Sequence, residues 1–185
     1  RLWWISLSPV IVFLLWISPV PQLAINLRYN YLMPRFREQI AKAHGFNIYE
    51  GLPHQRFESQ LLADELARTK TVLLRDFPFY VETQLMNPAD SQRLKQICTR
   101  SDAFAPRMYG ITLRCGGYHP DYCLAWNDGS ATNYAQFCFG CGELKAQIQN
   151  GELHCYVPEE ARNELYQLLI HYHTNRPSSA HWPKR

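Results

Sequence analysis

The sequence has no block of like charge: its 19 Lys and Arg and 16 Asp and Glu are interspersed, for a formal net charge of +3. Without a basic stripe there is no electrostatic footprint for nucleic acid, and no nucleic-acid partner is expected. The chain also lacks a Ser or Thr in a nucleophile elbow and a glycine-rich phosphate loop leading from a strand into a helix. Neither acyl transfer by an activated hydroxyl nor nucleotide chemistry is therefore indicated. Nothing repeats at solenoid spacing and no heptad run occurs, which argues against repeat arrays and coiled coils. Low charge combined with 14 % aromatic residues favours one packed domain over disorder.

What is present begins at the start. From Leu2 to Leu27 there is no charged side chain, a run longer than the roughly 20 residues that cross a hydrocarbon layer. Residues 1–27 are expected to be a transmembrane anchor or signal-anchor, touching membrane lipid through residues 2–20. Trp3, Trp4 and Trp16 would sit at the interfaces, and Pro19 and Pro21 would end the helix. A cleaved signal is the rival, but Pro21 to Ala24 lack the small-x-small pattern a peptidase prefers. Arg28, Arg35, Arg37 and Lys42 follow the run and favour a cytoplasmic domain by the positive-inside tendency. The chain opens on Arg1 rather than Met, so that count is made on an incomplete flank.

Residues 28–70 read as a helical juxtamembrane segment. A short helix from Pro34 to Gly45 carries Phe36, Ile40 and Ala43 on one face, a loop covers Asn47 to Gln55, and a second helix from Phe57 carries Leu61, Leu62 and Leu66. Residues 71–173 read as an α+β domain. A strand is expected over Thr71–Glu82, with Pro78 at an edge or bulge. Asn87 then caps a helix with Pro88 in its first turn and Leu94, Ile97 and Cys98 on one face. Strands follow over Met108–Cys115, Asp121–Trp126, Thr132–Phe139, Glu143–Gln149 and Glu152–Val157, with turns at Asn127–Ser130 and Asn150–Gly151. A closing helix opens at Pro158 and buries Ala161, Leu165, Leu168, Leu169 and Tyr172. Residues 174–185 read as a flexible tail. The architecture expected is an antiparallel meander with helices on one face.

Several words of the sequence belong together: YEGLPHQ at Tyr49–Gln55, FPFY at Phe77–Tyr80, CGGYHPDY at Cys115–Tyr122, CFGCGE at Cys138–Glu143 and NRP at Asn175–Pro177. In these the chain resembles a family of small, uncharacterised bacterial proteins that carry an N-terminal signal, anchor or lipid-attachment segment. The resemblance covers roughly Tyr49 to Pro177. It implies a surface-anchored, extracytoplasmic domain and implies no activity. Where some members read Cys-x-x-Cys-His this chain has Gly142, which closes a haem-attachment reading.

The six cysteines concentrate interest on one hairpin end. If Asn127–Ser130 turns the hairpin, Cys138 lies near Pro120, with Cys115 and His119 just beyond the ladder. Cys115, His119, Cys138 and Cys141 are then candidate ligands for a structural zinc ion. The rival is a disulfide from Cys115 to Cys138 or Cys141, a staple of about 2 to 4 kcal/mol. A thioredoxin-type dithiol needs its Cys-x-x-Cys at a helix N-terminus, whereas the residues after Cys141 alternate like a strand. Buried free thiols are the fourth reading. Cys123 should lie opposite Ala135, roughly 10 Å from Cys138 and beyond disulfide reach, and joins Cys98 as core. His44, His54, His171, His173 and His181 are scattered. Asp121 beside His119 resembles an acid–base pair but is set aside on strand alternation. No catalytic residue and no organic cofactor is nominated. The expectation is a membrane-anchored α+β domain outside the cytoplasm, a non-enzymatic binding or scaffolding module with an unidentified protein partner. The alternative is a small zinc-binding or thiol-redox protein built on the cysteine corner.

Overall fold

A computed structural model describes residues 20–177, apart from Phe57, 111–116 and Ser130. Helix α1 (Val20–Lys42) leads into strand β1 (Asn47–Gly51), helix α2 (Ser59–Arg68), strands β2 (Thr71–Leu74) and β3 (Phe77–Leu85), and helix α3 (Pro88–Thr99). A two-residue strand β4 (Ala105–Pro106) precedes β5 (Tyr122–Asn127), β6 (Thr132–Cys138), β7 (Glu143–Ile148) and β8 (Gly151–Tyr156). Helix α4 (Glu159–Leu169) and a 3-10 turn (Ile170–Tyr172) close the described chain. The strands form one sheet in the order β2-β3-β1-β5-β6-β7-β8-β4, antiparallel at every pairing. The α+β expectation therefore holds.

Strand alternation builds the core. Tyr122, Leu124 and Trp126 on β5, Ala135 and Phe137 on β6, Leu144, Ala146 and Ile148 on β7, and Leu153 and Cys155 on β8 face one side, where Leu32, Met33, Phe36 and Ile40 of α1 meet them. Leu94, Ile97 and Cys98 of α3 and Ala161, Leu165, Leu168 and Leu169 of α4 complete that layer. The faces expected for α3 and α4 are those observed. Asn87 caps α3 through its side-chain oxygen, which accepts from the Asp90 N–H at 2.8 Å. On the opposite face the sheet curls: Gln136 Nε2 of β6 donates to the Leu74 carbonyl of β2 at 3.0 Å. Phe77 meets Tyr118 edge-on with ring centroids 5.3 Å apart.

Several expectations are corrected. Asn47–Gly51, read as loop, is a strand in the interior of the sheet, paired with both β3 and β5. The reading failed because Gly51 and Pro53 looked like loop punctuation, whereas they end a strand. Thr71–Glu82 is two strands, turned at Arg75 and Asp76, with Arg75 at φ 56°. Met108–Gly110, expected to open a strand, lie outside any strand; the rest of that expected strand falls outside the described residues. The helix expected from Pro34 is part of α1, with Pro34 inside it. The expected span at 1–27 lies outside the described residues as far as Pro19, and Val20–Leu27 belong to α1. Among the described residues no helix is long and apolar enough to cross a membrane. The expected tail is tied down as far as Pro177: the Thr174 and Asn175 N–H groups both donate to Glu50, and Arg176 is buried. Its remainder, 178–185, is outside the described residues.

The hairpin register also differs by one residue. Cys123 pairs with Gln136, and Ala135 with Leu124. The loop is 128–131 rather than Asn127–Ser130: Asn127 Oδ1 accepts from Gly129 N at 2.6 Å and Asp128 Oδ1 from Ala131 N at 3.0 Å, local turns typical of these side chains. Cys123 is nonetheless buried, on the face away from the helices with Leu74 and Phe79.

Candidate functional site

The last rung between β5 and β6 joins Tyr122 to Phe137, so Cys138 stands where the ladder ends and the CFGC turn begins. The Cys141 N–H donates to Cys138 Sγ at 3.3 Å, and the His119 N–H makes a second backbone contact with that sulfur. Cys141 Sγ lies 3.3 Å from the Gly117 carbonyl oxygen. Tyr118 closes the corner from the second face. Its hydroxyl donates to the Gln136 carbonyl at 2.5 Å, and Lys145 Nζ lies 4.4 Å from its ring centroid. Cys138, Cys141 and the His119 backbone are thus brought together, and Cys115 is outside the described residues. Cys98, Cys123, Cys138 and Cys155 are in the thiol form and Cys141 is not among them. Burial pushes the Cys138 thiol up to about 12, with Asp121 adding to the shift.

The His119 side chain belongs to a different assembly. Its ring lies against His54, tilted by 42° with centroids 4.6 Å apart, and hydrogen-bonds the Leu52 backbone. Its Nδ1 lies 3.8 Å from Asp121 Oδ1. Strand alternation was wrongly applied to this pair, because residues two apart in an extended chain point the same way. Asp121 is buried and doubly engaged: Oδ2 accepts from the Phe139 N–H at 2.7 Å, and Oδ1 faces Arg176 Nη1 at 3.4 Å. Arg176 Nη2 pairs with Glu58 Oε2 at 2.8 Å, and that oxygen also accepts from the His54 N–H at 2.7 Å. Glu50, 2 % exposed, takes Thr174 N at 3.1 Å and Asn175 N at 2.7 Å and pairs with His173.

Glu50, His54, Glu58, His119, Asp121, His173 and Arg176 therefore form a buried polar network. It joins β1, the loop to α2, the approach to β5 and the C-terminal segment. Burial, opposed by Arg176, raises Asp121 to about 6. Burial, aided by His54 and Arg176, lowers His119 to about 4. At neutral pH Asp121 is consequently an anion and His119 a neutral ring. Tyr80 sits close enough to feel the network, its hydroxyl pushed up to about 12 first by burial and then by Glu50.

Sequence reasoning missed this site, although all its residues but Glu58 and His173 lie in the quoted words: Glu50 and His54 in YEGLPHQ, His119 and Asp121 in CGGYHPDY and Arg176 in NRP, with the neighbouring Tyr80 in FPFY and Phe139 in CFGCGE. Their co-occurrence was the available signal. Among the described residues, no group of three or more His, Cys, Asp or Glu side chains is arranged to hold a metal ion. Compared with known proteins, no family model matches the chain, no curated protein matches its sequence and no solved structure matches its fold.

Proposed function

We propose that this chain is a membrane-anchored, extracytoplasmic binding or scaffolding module, held by residues 2–20 in lipid, and not an enzyme. The observation that carries the non-enzymatic reading is that the chemically capable groups near the cysteine corner are already engaged by the protein itself. A general base needs a reachable nitrogen and a nucleophilic thiol needs to ionise. His119 instead spends its ring on His54 and Leu52, Asp121 is bound by Arg176 and Phe139, and the Cys138 thiol is held far above neutrality. The two surface depressions that stand out are lined by Arg75, Phe77 and Lys145 in one case and by Arg35, Glu38 and Asp128 in the other. Neither is lined by Cys138, Cys141 or His119.

The role assigned to the corner is a structural disulfide from Cys141 to Cys115, in keeping with an oxidising compartment. Its support is that Cys141 is not one of the cysteines in the thiol form. The competing structural zinc site, on Cys115, His119, Cys138 and Cys141, would need the His119 ring turned to the sulfurs, whereas it lies against His54. Thiol titration of the unfolded chain separates the two, read with metal analysis of the native protein. Of the six cysteines, two should appear only after reduction, and no stoichiometric zinc should be present. Six thiols without reductant and one zinc per chain would establish the zinc reading, and a native thiol that alkylates rapidly at pH 7 would point to redox chemistry. Carbonate extraction tests the anchor, with release of the full-length chain the refuting result. A phosphatase fused after Arg185 tests the side, and it should be active only if the domain is exported.

A further inference from the structure

Helix α1 is apolar on two opposite faces. Leu32, Met33, Phe36 and Ile40 face the sheet. Val20, Leu23, Leu27 and Tyr31 are 54 to 62 % exposed, and at 3.6 residues per turn they fall within about 80° of arc on the far side. A helix covering a core ordinarily turns a polar face outward. Within this arc the first charged residue is Glu38, which pairs with Lys42 one turn on. The stripe is not a fraying end: on the inner side Gln22 Nε2 donates to the Arg107 carbonyl at 3.0 Å, Arg28 Nε to the Glu152 carbonyl at 2.9 Å and Tyr29 to the Phe104 carbonyl at 2.7 Å. The helix is therefore held on the domain with its apolar outer edge on display.

We propose that Val20, Leu23, Leu27 and Tyr31 of α1 seat in the headgroup-to-acyl boundary of the bilayer from which the anchor emerges, laying this face of the domain on the membrane surface. The inference rests on the anchor proposed above and extends it to the folded domain. Chain continuity selects lipid as the occupant. The uncharged run ends at Leu27, while a span starting at Leu2 needs only about 20 residues, so the turns from Val20 onward emerge into the interface. Their chemistry fits that depth. The guanidinium of Arg35 lies 3.7 Å from the Tyr31 ring centroid, an aromatic and cation pair suited to a layer that is apolar on one side and anionic on the other. The charged residues of α1 before Glu38 are all basic; Arg28 and Arg37 bond the Glu152 and Ser101 carbonyls, and Arg35, beside Tyr31, is the one set along the stripe for anionic headgroups.

The test places photoreactive benzoylphenylalanine at Leu27 in the full chain, reconstituted into phosphatidylcholine and phosphatidylglycerol vesicles. The same group at Leu73, on β2 and 68 % exposed, is the control. Irradiation should give phospholipid adducts at position 27 several-fold above those at position 73. A covalent dimer at position 27 instead would overturn the proposal in favour of a second copy on this face. Absence of either adduct, with the chain still floating with the vesicles, would overturn it while leaving the anchor intact. A chain that does not float would remove the anchor and this inference together.

Discussion

Replacing Arg176 by Met probes the centre of the polar network. The arginine is 4 % exposed and its guanidinium faces Glu58 at 2.8 Å and Asp121 at 3.4 Å. Methionine fills much of the volume but removes the charge, leaving the two carboxylates with the His54 and Phe139 N–H bonds and a neutral His119 ring 3.8 Å from Asp121. Breaking a buried pair from one side costs about 3 to 5 kcal/mol, and the surviving N–H bonds place this variant near the lower end. At about 2 to 4 °C per kcal/mol for a chain of this size, Tm should fall by about 6 to 12 °C at pH 7.5. The deficit should depend on pH. Asp121 already titrates near 6 with Arg176 beside it, and its pKa rises further without the arginine. The variant therefore takes up a proton at a pH where the parent does not, and its deficit grows as pH rises above 6 and shrinks as pH falls toward it. Circular dichroism melts of the detergent-solubilised chain from pH 5 to 8 read both quantities. A Tm within 2 °C of the parent, or a deficit flat across that range, would refute the picture of a buried carboxylate pair held by Arg176.

In the same melts the two shifted groups should compensate. Asp121, raised from 3.8 to about 6, makes the folded state gain stability on acidification through that window. His119, lowered from 6.5 to about 4, makes it lose stability over nearly the same window. Asp121→Asn should therefore unmask steep acid lability between pH 6.5 and 4, whereas His119→Gln should become more stable as pH falls; parallel profiles for the two variants would contradict the assigned shifts. Gly51→Ala should destabilise by more than about 3 kcal/mol or fail to fold, because a Cβ there would stand 2.1 Å from the Pro120 carbonyl oxygen; a soluble variant with parental Tm would show that the approach of β1 to that loop is looser. Asn87→Ala removes the α3 cap and one partner of the Tyr172 hydroxyl, at a cost of about 1 kcal/mol in urea unfolding.

Legibility in the sequence followed the range of the interaction. The α3 cap is one local bond between the Asn87 side chain and the Asp90 N–H, and the buried stripe of α4 and the alternation of β5 to β8 are repeats of 3.6 or 2 residues, each from one backbone geometry meeting one apolar layer. The burial of Cys123 survived a one-residue error in its partner. The error itself came from the Asp128–Ala131 turn, where side-chain bonds to the backbone moved the loop by a single position. Other features depended on chain segments far apart. Asn47–Gly51 looks like a loop until β3 and β5 close on both its edges. Glu50, Glu58, Asp121 and Arg176 each look like solvated charges, and Arg176 lies 118 positions from Glu58 and 55 from Asp121. Periodicity carries no trace of such a pairing, because a buried ion network is decided by which segments the folded sheet brings side by side and by the cost of leaving any one of those charges without its partner.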